Sequence, residues 1–416
     1  DLHVRSRRQR QMCIRDRYIN MNSMNKTTSA VSRVFGWIKP THAKGSWIYS
    51  KEHPNRFLDF NSGIGALSLG HCHNAVTTKV VDQASTLVHS AQQVYGHHTA
   101  VDDLIKNFDY IIPDKNLDNY FFTPSGSEAT DNAVKIAKRY TNRQNIVAVK
   151  SGFHGRTLGA LSLTSSNIFC KNKVGALLPN VYYSEPNIDS FLEVFEKFCS
   201  PDNTAGFIFE SIQGEGGIKS LPDEFLKPAT DFCKEHGILV IADEIQCGVA
   251  RTGHMWNVFS KDIIPDMMLF GKGIANGYPL AGVVSTTEIM DNIGENFLGG
   301  TYGSNAVVCA AGTATIQTLL RENIVNNVKQ KELYFRKHLS KLAGIKAFRC
   351  YGLMIVLEPF DSIDINILLQ ELAKEGVCVL KCGSRGQYIR ILPPLNVSYD
   401  EIDYFIEKYN IVLSKL

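Results

Sequence analysis

Three short stretches of the chain carry side chains able to react with one another if the fold brings them together. Lys272 stands between two glycines at the end of the apolar run in "MMLFGKGIANGYPL" (267–280). Lysine is among the residues least often buried without a partner. Either the strand has ended and the amine is solvated, or the glycines clear space for something large and flat to approach it. Asp243 ends the apolar run of "LVIADEIQCG" (239–248). A carboxylate buried there needs a partner, either a helix N-terminus that it caps or a protonated ring nitrogen. Ser125-Gly126-Ser127, in "FFTPSGSEATDNAVKIAK" (121–138), sits at a strand-to-helix turn. The free N–H groups and dipole of such a helix end suit a phosphate.

Each feature alone is common. Together, an amine, a carboxylate and a phosphate cradle match the needs of pyridoxal 5′-phosphate. The lysine forms a Schiff base with its aldehyde, the aspartate keeps its ring nitrogen protonated, and the helix end holds its phosphate. Lys272, once released by a substrate amine, is then the candidate to move the α-proton.

The elements needed to position these groups are legible in the pattern. From about Leu117, short apolar runs alternate with helical patterns, as in a mostly parallel sheet covered by helices. Candidate strands are 119–122, 146–149, 206–210, 237–243 and 267–270, and candidate helices include 127–140, 223–236 and 304–322. Ligands of such sheets bind at the carboxyl ends of the strands, where Glu210, Asp243 and Lys272 all fall. After about residue 322 come a long charged helical region, shorter strand-like pieces and an amphipathic helix at 399–412. These read as a smaller α+β domain, partnered by the segment around "GSWIYS" and "NRFLDFNSGIGAL". The expected division is 18–75 packing with the small domain, 76–308 as the large domain, and 309–416 as the small domain.

Seven motifs, in order, then carry a resemblance: "SGSEATDNAVKIAK", "FHGRTLGALSLT", "ESIQGEGG", "ILVIADEIQCGVARTG", "FGKGIANGYPLAGV", "GGTYGSNAVVCAA" and "IRILPPL". From about Gly45 onward the chain resembles the class III pyridoxal-phosphate aminotransferases. The resemblance implies the fold-type I α/β architecture, with a mostly parallel seven-stranded sheet in the large domain. It implies Lys272 as the Schiff-base lysine, Asp243 as the pyridinium partner, and Gln246 on the ring hydroxyl. Gly126 and Ser127 would hold the phosphate from one subunit and Thr301 from the other, so the active site lies at a homodimer interface. Phe153 would stack on the ring, His154 would lie behind Asp243, and Glu210 would support the hydrogen-bond shell. Arg156 resembles the residue that binds the distal substrate carboxylate, and Arg390 the one that binds the α-carboxylate of glutamate or 2-oxoglutarate. Glu215 resembles a switch that pairs with Arg390 while an ω-amine donor is bound. Planar bidentate capture of carboxylates suits both arginines.

The implied reaction moves the terminal amino group of an ω-amino acid to 2-oxoglutarate, giving a semialdehyde and glutamate. Ile64 stands where ornithine-specific members carry tyrosine, which disfavours free ornithine and allows 4-aminobutyrate or N-acetylornithine. The remaining motifs lean toward 4-aminobutyrate, with acetylornithine or another ω-amino acid as the alternative. The departures from the family pattern, among them Pro124, Ser211 and "GSNA" in place of "GGNP", remove no catalytic group.

Composition agrees with an enzyme rather than a nucleic-acid or membrane protein. The 416 residues are 44% hydrophobic and 20% charged, an ordinary globular balance, and no apolar run approaches the ~18 residues of a membrane span. The net charge of +3 is concentrated in residues 1–17, whose six Arg and two Asp give +4 and leave the remainder at −1. That arm lacks aromatic interleaving and reads as a non-native extension resembling translated adapter sequence, with Met21 and Met24 as plausible starts. Ten cysteines without a C-x-x-C pair suggest free thiols in a reducing compartment. "GHCH" (70–73) and His97-His98 lack the spacing of a zinc site, so no metal is expected. The cytoplasm is the expected location, with the mitochondrial matrix as alternative, because the acid-free "MNKTTSAVSRVFGWIK" (24–39) has the composition of a weak transit signal.

Overall fold

A computed structural model describes residues 34–53, 56–166 and 168–416. The arm at 1–17 and most of the 24–39 segment lie outside the described residues. The chain divides into two units at Lys39/Pro40. In the first, residues 34–38 form a turn in which Ile38 N donates to Phe35 O (3.0 Å). Everything below concerns the second, residues 40–416.

Strands β1 (Pro40–Lys44), β2 (Trp47–Ser50) and β3 (Arg56–Asp59) come first. Next are β4 (Asn119–Thr123), β5 (Asn145–Val149), β6 (Val181–Ser184), β7 (Thr204–Phe209), β8 (Leu239–Asp243), β9 (Met267–Phe270) and β10 (Ala281–Ser285). These last seven form one sheet in the order β4-β10-β9-β8-β7-β5-β6. β10 runs antiparallel to both neighbours, and the other pairs are parallel. β5, β7, β8 and β9 are buried at every position. A parallel strand covered on both faces reads as a continuous apolar run, which is why these four stand out in the sequence. β6 and β10 escaped the sequence reading. The first is a half-buried strand at the sheet's edge, and the second is a five-residue run directly after the Gly-rich segment that follows Lys272.

Register sets the site. Ala242 of β8 lies beside Phe209 of β7, and Asp243 lies beside Leu269 of β9. Glu210, Asp243 and the chain leading to Lys272 therefore leave the sheet side by side at one edge. The helix Gly126–Thr141 follows β4 and brings its N-terminus to the same edge.

Beyond the large sheet, β11 (Ile345–Tyr351), β12 (Met354–Pro359), β13 (Val377–Cys378), β14 (Leu380–Cys382) and β15 (Tyr388–Ile391) complete the strands used here. β11-β12-β15-β14 form an antiparallel sheet, whereas β13 joins the first strands in the order β1-β2-β3-β13. Leu395 N donates to Ser68 O (2.7 Å), Asn396 Nδ2 to Leu69 O (3.1 Å) and Ser46 Oγ to Glu401 (3.2 Å). The last helix, Tyr399–Leu413, starts at a reciprocal capping box between Ser398 and Glu401. Among the described residues no helix is long and apolar enough to cross a membrane.

Candidate active site

The edge where β7, β8 and β9 end opens into a cavity of about 170 Å³. Its lining includes Gly126, Ser127, Phe153, His154, Glu210, Asp243, Ile245, Gln246 and Lys272. A cavity of ~150 Å³ accommodates one six-membered aromatic ring, so this one has the size for a single ring.

Asp243 is buried, and both of its oxygens are used. Oδ2 accepts from His154 Nδ1 (2.7 Å), and Oδ1 accepts from Ile245 N (3.1 Å). It thus makes a local turn cap while still lining the cavity. His154 is held by its own loop. Thr164 Oγ1 accepts from His154 N (2.9 Å) and Gly155 N (3.2 Å), and Thr130 Oγ1 donates to His154 O (2.8 Å). A Cβ at Gly155, whose φ is +138°, would lie 2.3 Å from Ser127 Oγ, so only glycine lets the His154 loop meet the helix N-terminus this closely. Neither threonine stands out in the sequence, because Thr130 reads as one more residue of a helix and Thr164 as the end of another, positions that carry no signal of their own.

At the cradle, Ser125 caps the helix by accepting from Glu128 N (3.3 Å). That leaves Gly126 and Ser127 at the cavity with the helix's first N–H groups, which have no partner within the helix. Ser127 Oγ accepts from Arg156 N (3.2 Å). Glu210 accepts from Phe153 N (2.8 Å) and Gly214 N (3.1 Å), and burial pushes its carboxyl up to about 7 against the opposing pull of His154. Glu244, the neighbour of Asp243, is fully buried and accepts from Asn257 N (2.7 Å), Val258 N (2.9 Å) and Ser211 Oγ (3.1 Å). Burial raises it to about 7 as well. Ser211 also accepts from Asn257 Nδ2 (2.8 Å), so the serine found in place of the family's proline joins a buried polar network.

Lys272 sits at φ +43°, a left-handed conformation costing roughly 1–2 kcal/mol for a residue with a side chain. Strain of this kind collects at functional sites. Desolvation lowers its pKa, while Glu215, Glu210 and Asp243 pull the other way. The flanking glycines have a structural reason beside the one the sequence suggests. A Cβ at Gly271 would meet Ala281 (3.3 Å) and Ile245 (3.4 Å), and one at Gly273 would meet Ser68 (3.3 Å). Both glycines admit close protein neighbours.

A second cavity, about 310 Å³, shares Phe153 with the first. Its lining includes Arg156, Glu215, Lys381 and Arg385. Arg156 is exposed, with its guanidinium 5.8 Å from the Phe153 ring centre. Arg390, buried on β15, is paired through Nη1 with Glu215 Oε1. Two sequence-predicted residues stand apart. Thr301 is exposed and lines neither cavity, and Ile64 is 44% exposed on a turn in which Ser62, Gly63, Ile64 and Gly65 all have positive φ. Asp59 stabilises that turn by accepting from Asn61 N and Ser62 N (3.1 Å each). Of the histidines considered for metal, His71 pairs with Asp59 (3.0 Å), while His73 Nδ1 is buried without a hydrogen-bond partner. His97 pairs with Asp102 (2.8 Å), and His98 accepts from Val101 N (3.3 Å) at a helix start.

The first cavity fits pyridoxal phosphate on its own chemistry. Gln246 Oε1 and His154 Nε2 are buried there without a hydrogen-bond partner, and buried polar atoms left unpaired are costly. A ring bearing a hydroxyl and a charged nitrogen offers them polar neighbours. The helix N-terminus offers N–H groups to an anion.

The sequence pattern of the family described as aminotransferase class-III matches residues 28–413. The chain is similar to the 5-aminovalerate aminotransferase of Pseudomonas putida, 32% identical over 401 residues, covering 90% of this chain and 94% of that protein. It is 30% identical over 414 residues to the 4-aminobutyrate aminotransferase of Escherichia coli, covering 93% and 97%. It is also 30% identical over 397 residues to the mitochondrial acetylornithine aminotransferase of Debaryomyces hansenii, covering 92% and 84%. Among solved structures, the ornithine aminotransferase of Toxoplasma gondii superposes with a TM-score of 0.85 at 25% identity, covering 96% of each chain.

Proposed function

The chain belongs to the class III aminotransferases, which are pyridoxal-phosphate-dependent transaminases, and from that premise we propose that it moves the terminal amino group of an ω-amino acid to 2-oxoglutarate, with 4-aminobutyrate as the favoured donor. The observation that carries the donor class is the Arg390–Glu215 ion pair beside Lys272. A glutamate on that arginine neutralises the place where an α-carboxylate would bind. A donor whose reacting carbon carries no carboxylate then meets no unpaired buried cation. When glutamate or 2-oxoglutarate enters, its α-carboxylate replaces Glu215 on Arg390.

When bound, the cofactor supplies an aldehyde that condenses with amines and a cationic ring that stabilises charge on the neighbouring carbon. Lys272 Nζ is the group to hold that aldehyde and later carry the proton between carbon atoms. Its burial lowers its pKa and so favours the neutral, basic form. Asp243, oriented by His154, keeps the ring nitrogen protonated. Gln246 holds the ring hydroxyl, Phe153 covers a ring face, Gly126 and Ser127 hold the phosphate, and Glu210 supports the Phe153 and Gly214 backbone. Arg156 takes the donor's distal carboxylate. Thr301 belongs to the phosphate site of a second subunit in a homodimer. In support, Tyr302 is 65% exposed and adjoins His89 (5.6 Å between ring centres), close in sequence to the exposed Val88 and Tyr95. Exposed apolar side chains gathered this way suit a protein interface. We read 76–308 as the large domain and 309–416 as the small domain, and within the segment 18–75 the described residues from Pro40 onward pack with the latter through β3 and β13. We assign the protein to the cytoplasm, in keeping with nine unpaired cysteines among the described residues.

The 32% relative acting on 5-aminovalerate supports an unsubstituted ω-amino acid. Acetylornithine is the second reading, supported by the Debaryomyces relative. The test is the absorbance of the purified holoenzyme with one donor and no oxo acid. We expect 4-aminobutyrate to bleach the yellow colour and 2-oxoglutarate to restore it. Bleaching by N-acetylornithine alone would replace the donor and keep the family.

A further inference from the structure

The second cavity holds more positive charge than the reading above uses. Arg156, Lys381 and Arg385 line it against one carboxylate, Glu215, which is already paired with Arg390. Among the described residues neither Arg156 nor Arg385 forms an ion pair, and the Lys381 amine donates to the neutral Asn366 Oδ1 (2.8 Å). The turn bearing Arg385, which follows Lys381 on β14, is fixed beside Glu215. Gly383 N donates to Glu215 O (2.9 Å), Gly386 N to Gly383 O (2.9 Å), and Arg385 N to Gln387 Oε1 (2.9 Å). Gly386, at φ +68°, approaches the Lys381 stem so closely that a Cβ there would lie 3.0 Å from it.

The two substrates of the proposed reaction differ in charge. An ω-amino acid is a zwitterion of net charge zero, whereas a dicarboxylic 2-oxo acid is a dianion. A field from uncompensated cations at a cleft mouth raises the local concentration of the dianion and leaves the zwitterion nearly unaffected. We propose that Arg156, Lys381 and Arg385 form a cationic mouth that draws the dianionic oxo-acid acceptor toward Lys272 by its field, favouring the acceptor half of the reaction over the donor half. This rests on the reading of a dicarboxylic 2-oxo acid as acceptor.

The test uses the holoenzyme carrying Lys381→Gln and Arg385→Gln together, with kcat/KM measured separately for each half-reaction across a range of ionic strength. With 2-oxoglutarate we expect the double variant to lose roughly tenfold at low salt. That gap should close as added salt shortens the screening length. The 4-aminobutyrate half should change much less and show no comparable salt slope. Lys227→Gln, exposed on the helix Asp223–Glu235, serves as a remote control for lost charge and should keep the wild-type salt slope. An equal loss in both halves, or a loss that persists at high salt, would overturn the inference and leave the ω-amino-acid reading standing. If the wild-type enzyme fails to use 2-oxoglutarate at any salt, the acceptor reading and the inference fall together. If it uses that acceptor but the double variant matches it, only the inference falls.

Discussion

Phe153 separates two cavities built in contrasting ways. Behind it, Asp243, His154, Glu210 and Gln246 are buried at strand ends and fixed loops, and most of their polar atoms have a protein partner. In front of it, Arg156, Lys381 and Arg385 are exposed, and none of the three has a counter-ion among the described residues. The first arrangement suits a resident group bound in one orientation, because each side chain is pre-positioned and water is excluded. The second suits substrates that come and go, because exposed charges attract without committing to one geometry.

The contrast predicts that single changes are felt most behind Phe153. Lys272→Ala should lower turnover by at least roughly a thousandfold, since in the proposed function one side chain both holds the aldehyde and moves the proton. A steady-state assay that retained a tenth of wild-type activity would break the assignment of the inner cavity. Glu244→Gln tests the buried support. A glutamine has one acceptor oxygen where the carboxyl group, protonated or not, accepts through both of its oxygens, so the Asn257 or Val258 N–H is left unpaired at a cost of ~1–3 kcal/mol. That deficit depends on pH in a defined sense. Because burial raises the folded-state pKa from 4.5 to about 7, the glutamate's contribution is fullest below about 4.5 and declines as pH rises toward 7. The variant's deficit in denaturant unfolding should therefore be largest in acid and shrink up to about pH 7, then level off. A deficit that grew over that range would reverse the assignment. At the border of the two cavities, Glu215→Gln should lower kcat/KM for 4-aminobutyrate about tenfold, the ~1.4 kcal/mol scale of one charge-assisted hydrogen bond. Glutamate should lose less, because its own carboxylate satisfies Arg390. Equal losses would mean that the pair does not distinguish the donors.

The same contrast decides what the sequence could convey. "MMLF" predicts β9 residue for residue, and the final helix is predicted at 399–412 against Tyr399–Leu413. Runs buried on both faces announce themselves by composition. β10 is buried throughout as well but is hard to read, because its five residues include Ala281, Gly282 and Ser285 and only Val283 and Val284 favour a strand. Within the site, Lys272 and Asp243 are legible because a charge at the end of an apolar run is anomalous. Lys381 and Arg385 look like any solvated cations until the fold brings them to one cavity with Arg156. Thr164 and Thr130 act only through the geometry of the His154 loop. The left-handed run at Ser62–Gly65 had only its two glycines as a signal, and an isoleucine at φ +63° is against the local preference.

The joining of the chain's early and late parts has a consequence for synthesis. β3 has β13 as its parallel neighbour, and Leu69 receives a hydrogen bond from Asn396, 327 residues further along. At translation speeds of roughly 5–20 residues per second, the early strands wait on the order of half a minute for their partner to leave the ribosome. Through that interval the edge of β3 is an unpaired template, the kind of surface on which nascent chains associate wrongly. In the large sheet β4 also waits, but its neighbour β10 ends at Ser285, well before β13 emerges, so this clasp closes after the large sheet has all its strands.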